Sequence, residues 1–216
     1  MDRDSCLSRP VALSSMAGFY TYSVRKCRLD ITYLMSHDPH MKYMTRQQVL
    51  ALLRVARKES ERDFLMILLA YRHGLRASEV CSLTTRDFAD GYITIKRLKG
   101  SLKTTHPLFK ADEPLLDEKR AVAAWLKAIP KGGLLFPITR QHFHRLFQGY
   151  CKQAGIPKPL AHPHTLKHSV AMELVKKVGI QDLRQFIGHK SLNSTGMYLR
   201  VSDQEASAAV AKAMDF

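Results

Sequence analysis

The spacing of apolar residues changes character once along this chain, and that change limits the folds open to it. Val49, Leu52, Leu53 and Ala56 return at three- and four-residue intervals, as do Phe64, Leu65, Ile67, Leu68 and Tyr71. Such spacing gathers each set on one helical face that needs burial. From Tyr92 to Leu98 the segment "YITIKRL" is instead rich in β-branched residues and predicts a strand. Gly100 and Ser101 supply a turn, and "LKTTHPLF" returns as the partner strand. Pro107 has no N–H to donate, which confines that return strand to an edge or an end. Helical spacing then resumes. The expected fold class is mainly α with a small antiparallel β-sheet (α+β).

Local signals set the helix boundaries. Thr45 and Gln48 form a capping box ahead of the first helix. Gly74 ends the second, and a short third runs from Ala77 to about Leu83. A helix from Glu118 to about Ala128 stops at "PKGG". Thr139 caps a helix carrying Phe143, Leu146, Phe147 and Tyr150, and Pro163 opens one with Leu166, Val170, Leu174 and Val175 inward. A shorter helix holds Leu183, Phe186 and Ile187. Ser202 and Glu205 make a second capping box before an Ala-rich C-terminal helix. Residues 1–40 show no clean period, so they read as a poorly structured N-terminal extension to a folded domain over residues 41–216.

Charge narrows the partners. The formal net charge is +15, and residues 1–40 contribute only +1 of it. The excess therefore sits on the folded part, which points to a polyanionic partner such as nucleic acid, with a solvated soluble surface or binding to anionic lipid as the alternatives. No apolar run reaches the ~18 residues that span a bilayer, so no membrane partner is expected. Serines interrupt "SRPVALSSMAGFY" too often for a secretory signal. The four cysteines form no C-x-x-C pair, which suits free thiols in a cytoplasm.

Three clusters carry residues suited to chemistry. In "HGLRASEV", Arg76 follows Gly74 at a helix start, where free N–H groups and a guanidinium suit a phosphate; pairing with Glu79 is the plainer use of the same arginine. In "AHPHTLKHSVAM", His164, Lys167 and His168 share a helix face. Zinc between His164 and His168 is disfavoured because the H-E-x-x-H pattern and a third ligand are absent. His162 and His168 read as partly buried structural histidines. In "IGHKSLNSTGMYLR", His189 precedes Tyr198 by nine positions. Tyr198 alone would be an ordinary packed tyrosine; the ordered set of clusters in one basic chain is what distinguishes it.

That ordered set resembles the catalytic boxes of the tyrosine recombinases, the phage integrase family. "HGLRASEVCSL", "RLKGSLKTTHPL" and "HPHTLKHS" are most like the motifs of its small fimbrial-switch inversion recombinases. The resemblance covers about residues 42–200. It implies a site-specific DNA recombinase, for integration or inversion, that cuts and rejoins DNA through a 3′-phosphotyrosine without metal, ATP or other cofactor. By the same resemblance Tyr198 is the nucleophile, Arg76 the first arginine, Lys99 the mobile hairpin lysine, His164 the second-box histidine and His189 the third-box position. Lys167 stands where the family usually has arginine, which keeps a charge but loses the bidentate fork. Most members also carry a separate N-terminal DNA-binding domain.

The implied partners are double-stranded DNA and further copies of the chain in a tetrameric synapse, and the implied location is the bacterial cytoplasm at the nucleoid. Residues 203–214 are expected to dock either on a neighbour or on the chain's own core. Lys96, Arg97, Lys103, Arg140 and Arg145 are expected DNA-backbone contacts, with a solvated surface as the alternative. Three other functions stay open: a DNA-binding regulator impaired by Lys167, an enzyme that relaxes DNA without exchanging partners, and a basic RNA-binding domain.

Overall fold

The computed structural model describes residues 42–97, 103–175, 177–191, 193–196 and 198, all within the unit His40–Phe216. The expectations for residues 1–40, for Lys99 and its turn, and for the helix after Tyr198 lie outside the described residues.

Helix α1 (Arg46–Glu59) starts at the expected capping box, with the Thr45 hydroxyl accepting from the Gln48 N–H and the Gln48 side chain accepting from the Thr45 N–H. Its buried face is Val49, Leu52, Leu53 and Ala56. Ser60 ends α1 and caps α2 (Glu61–Arg72). Sequence spacing gives α2 a single buried face, but every residue from Asp63 to Tyr71 is buried. The helix is enclosed by α1, by α4 (Glu118–Ala128) and by α6 (His164–Leu174). Buried Asp63 accepts from the Tyr150 hydroxyl, 2.7 Å away on α5 (Arg140–Gln153), which satisfies both groups.

Between α2 and α4 lie the short α3 (Ala77–Cys81) and a three-stranded antiparallel sheet in the order β1-β2-β3. β2 (Tyr92–Ile95) and β3 (Thr104–Pro107) are the expected hairpin, with Ile93 opposite His106 and Ile95 opposite Thr104. Pro107 closes the edge strand. β1 (Phe88–Ala89) was not legible, because two residues carry no period. The last helices among the described residues are α7 (Ile180–Ile187) and α8 (Asn193–Gly196).

Arg97 overturns an expectation. It leaves β2 toward the interior, its side chain is 0% exposed, and so it is not a DNA contact. Its guanidinium donates to the carbonyls of His73 (3.1 Å), Gly74 (3.1 Å) and Phe186 (2.9 Å), and to Glu79 Oε2 at 3.2 Å. Nε donates to Thr104 Oγ1. One buried cation thus ties the hairpin to the ends of α2 and α7. Sequence reasoning saw a basic residue in a basic run and had no means of seeing this inward turn.

Gly188 makes the staple possible. It caps α7 with φ +70°, and a Cβ there would lie 3.0 Å from both Cγ and Nε of Arg97. Arg97→Met is expected to cost about 3–5 kcal/mol of stability in urea unfolding, because it breaks the buried pair with Glu79 and takes the donor from the carbonyls of His73, Gly74 and Phe186. A loss below about 1 kcal/mol, the range of an exposed pair, would contradict the assignment.

Candidate active site

Arg76 sits at the head of α3 with its side chain 25% exposed. Nη1 donates to Glu79 Oε1 at 2.7 Å, while Glu79 Oε2 accepts from the Arg76 backbone N–H at 2.9 Å. Burial alone would raise the Glu79 carboxyl. The Arg76 N–H and the Arg97 and Arg76 guanidiniums outweigh it and hold the group below the usual range, so it is ionised. The pairing with Glu79 and a part in the site are therefore compatible: the carboxylate orients Arg76 from behind.

Lys167 lies under the site on α6, only 1% exposed. Its Nζ donates to the Ile187 carbonyl at 2.9 Å. Gly74, which ends α2 above it, takes φ +58°, a conformation that favours glycine. Burial, then Arg76 and Arg97, push the amine down to about 7, with Glu79 opposing. Lys167 is thus a titratable charge where an arginine would be permanent.

His164 and His168 follow on the same helix, edge to face with ring centres 4.6 Å apart. His164 is open to solvent, although neighbouring atoms still crowd the ring. That crowding, then His168, Lys167 and Arg76, hold it near 4. His189, just past Gly188, is half-buried with Nδ1 3.2 Å from Thr195 Oγ1. Burial, then Lys167, Arg76 and Arg97, hold it near 4 as well. Both imidazoles are neutral at pH 7 and offer hydrogen bonds in place of charge.

Tyr198 is 5% exposed, among Ala171, Leu183 and Ile187. Its hydroxyl lies 3.0 Å from His168 Nδ1. Burial pushes the phenol up to about 12, and Arg76 pulls against that rise. The phenol is protonated at neutral pH, yet close enough to the guanidinium to feel its charge.

Arg76, His164, Lys167, His189 and Tyr198 therefore share one electrostatic neighbourhood, although Lys167 lies beneath it and Lys99 is outside the described residues. Lys96 is an exposed side chain 3.9 Å from Asp87, and Lys103, Arg140 and Arg145 are exposed. Sequence reasoning gave His168 a structural role, so its contact with Tyr198 is new. The signal was its place one turn after His164. Among the described residues, no group of three His, Cys, Asp or Glu side chains could hold a metal ion.

The Lys167 amine makes stability depend on pH. It keeps its proton to about 10.5 in the unfolded chain but gives it up near 7 in the fold. The unfolded state binds the extra proton between those values, so stability rises with pH across that window. Thermal melts between pH 7 and 9 are expected to show this rise, and Lys167→Met to flatten it. An equal rise in the variant would refute the assignment.

Comparison with known proteins matches residues 42–205 to the phage integrase family. The tyrosine recombinase XerA of Pyrococcus furiosus is 31% identical over 184 residues, covering 80% of this chain and 62% of that protein. The type 1 fimbriae regulatory protein FimE of Escherichia coli K12 is 30% identical over 174 residues, covering 73% of this chain and 84% of FimE. Among solved structures, the XerH site-specific recombinase bound to its difH substrate matches with a TM-score of 0.64 at 22% identity, over 78% of this chain and 53% of that one. The described fold is that of a tyrosine recombinase catalytic domain, and the chain belongs to the phage integrase family.

Proposed function

We infer that this chain is a site-specific DNA recombinase that breaks and rejoins DNA strands through a 3′-phosphotyrosine formed on Tyr198. The observation that carries this reading is the Tyr198 phenol beside Arg76, with His164, Lys167 and His189 around the same guanidinium. Residues distant in sequence thus feel one another's charge in one neighbourhood.

The chemistry follows from the charges. Attack on a phosphodiester builds negative charge on the nonbridging oxygens. Arg76 faces that charge with a fixed cation. His164 and His189 donate hydrogen bonds, and Lys167 adds charge from beneath when protonated. The phosphate in turn raises the proton affinity of all three titratable groups, so binding strengthens its own neutralisation. Tyr198 attacks phosphorus and the 5′ oxygen leaves, protonated by Lys99 in the role the family resemblance gives that residue. Attack by the 5′ hydroxyl of a second strand reverses the step. The phosphotyrosyl bond conserves the energy of the broken ester, so the exchange needs no added energy source.

The substrate is double-stranded DNA. Lys96, Lys103, Arg140 and Arg145 are surface cations able to follow its phosphates. Strand exchange between two sites calls for several protomers in a tetrameric synapse, with residues 203–214 available for the contact between copies. The setting is the bacterial nucleoid. Integration or inversion is the outcome that the resemblance implies, and the match to the phage integrase family supports it.

The test uses duplexes from DNA flanking the gene, each nicked so that the cut strand is lost. The wild-type chain is expected to form a denaturant-resistant adduct and Tyr198→Phe to form none. An adduct that persists in Tyr198→Phe, or site binding without any wild-type adduct, would overturn the reading. The second result would favour a DNA-binding regulator.

A further inference from the structure

The phenol of Tyr198 must lose a proton as it attacks; of the groups assigned above, the neutral imidazoles of His164 and His189 could accept one, but neither is the phenol's hydrogen-bond partner among the described residues. Arg76 is a permanent cation and accepts nothing. The Lys167 amine is engaged with the Ile187 carbonyl, and Nδ1 of His189 is engaged with Thr195. With Tyr198 only 5% exposed, bulk water is not at hand, and burial disfavours a free phenolate. Among the described residues, the hydrogen-bond partner of the phenol is His168 Nδ1, at 3.0 Å.

We propose that His168 is a further catalytic residue, whose Nδ1 holds the Tyr198 hydroxyl in place and takes its proton during attack. This rests on the recombinase reading. The ring is suited to the task by its surroundings. Burial, then His162 and Lys167, keep the imidazole below its usual range, so it is neutral at pH 7 with a lone pair free to accept. The titratable groups facing it are His162, His164, Lys167 and Tyr198 itself. The contact also fixes geometry, since α6 carries His168 on the same face as His164, at the open end of the site.

The step balances as follows. The bond from the phenol oxygen to phosphorus forms and the bond from phosphorus to the 5′ oxygen breaks. The phenol proton passes to Nδ1, and the imidazole, already carrying hydrogen on Nε2, becomes an imidazolium. The departing 5′ oxygen takes a proton from an ammonium donor, the part given to Lys99. Rejoining runs both transfers backward, with His168 returning its proton to the tyrosine oxygen.

Two variants separate proton transfer from packing. His168→Asn leaves an acceptor oxygen near the Nδ1 position but no useful basicity, and His168→Ala removes both. Each is compared with wild type for adduct formation on nicked duplexes tiled across the DNA flanking the gene, with retention of the same duplexes measured alongside. Both variants are expected to hold the duplex like wild type. The adduct rate of His168→Asn should fall by about 100-fold or more, the range of general base catalysis. Free imidazole should restore adduct formation to His168→Ala. A wild-type rate in His168→Asn, or a slow His168→Ala that imidazole leaves unchanged, overturns the role of His168 alone. If wild type itself yields no adduct, the recombinase reading fails and this proposal fails with it. Should His168→Ala not fold, the rate of His168→Asn decides.

Discussion

One buried carboxylate, that of Glu79, sets the positions of two guanidiniums, and the rest of the site is built against them. Its Oε1 takes Arg76 at 2.7 Å and its Oε2 takes Arg97 at 3.2 Å. Without an anion between them, two adjacent arginines would repel each other and neither could afford burial. With it, Arg97 turns inward and fastens the hairpin, while Arg76 keeps a quarter of its side chain open to an incoming anion. Burial, and then the same positive field, depresses Lys167, His164 and His189, so the resting site holds one firm cation and several groups ready to gain a proton. A phosphate group would push all three of those groups upward at once.

A second buried network holds the hairpin against the helices. His73 at the end of α2 meets His106 of β3 through their Nδ1 atoms at 3.0 Å and reaches Glu118 of α4 through Nε2, also at 3.0 Å. His106 stacks on Phe186 of α7 with ring centres 4.2 Å apart. The hairpin that carries the catalytic lysine of the family resemblance is thus anchored at its base to three helices. His73 partners both His106 and Glu118, which favours one hairpin position over others, although His106 Nε2 and Glu118 Oε2 are left there without a hydrogen-bond partner.

Much of this was legible in the sequence because the signals are local. The Thr45–Gln48 capping box, the apolar stripe of α1, the limits of α4 and the existence of the β2–β3 hairpin all follow from spacing and residue type. The catalytic candidates were legible through their order along the chain, since each motif alone would pass for an ordinary helix start or core residue. What the sequence could not show depends on where side chains turn once helices pack. Arg97 and Lys96 are neighbours in one basic run, yet one is enclosed and the other is exposed. Lys167 reads as a site charge on one helix face with His164, but α6 packs it beneath the site, only 1% exposed. His168 was visible and given a structural part because nothing local places a tyrosine thirty residues away against its ring.

The central claim is that Arg76, Lys167, His164 and His189 surround a single phosphate. The imidazole titrations of His164 and His189, followed by nuclear magnetic resonance in Tyr198→Phe, test it most directly because they need no turnover. In the free protein both rings are expected to titrate near 4. On saturation with the duplex that gives the adduct, both should move upward together, and replacing Arg76 with Ala should weaken that coupling. Titrations that stay where they were on binding, or that move in only one of the two rings, would contradict the account.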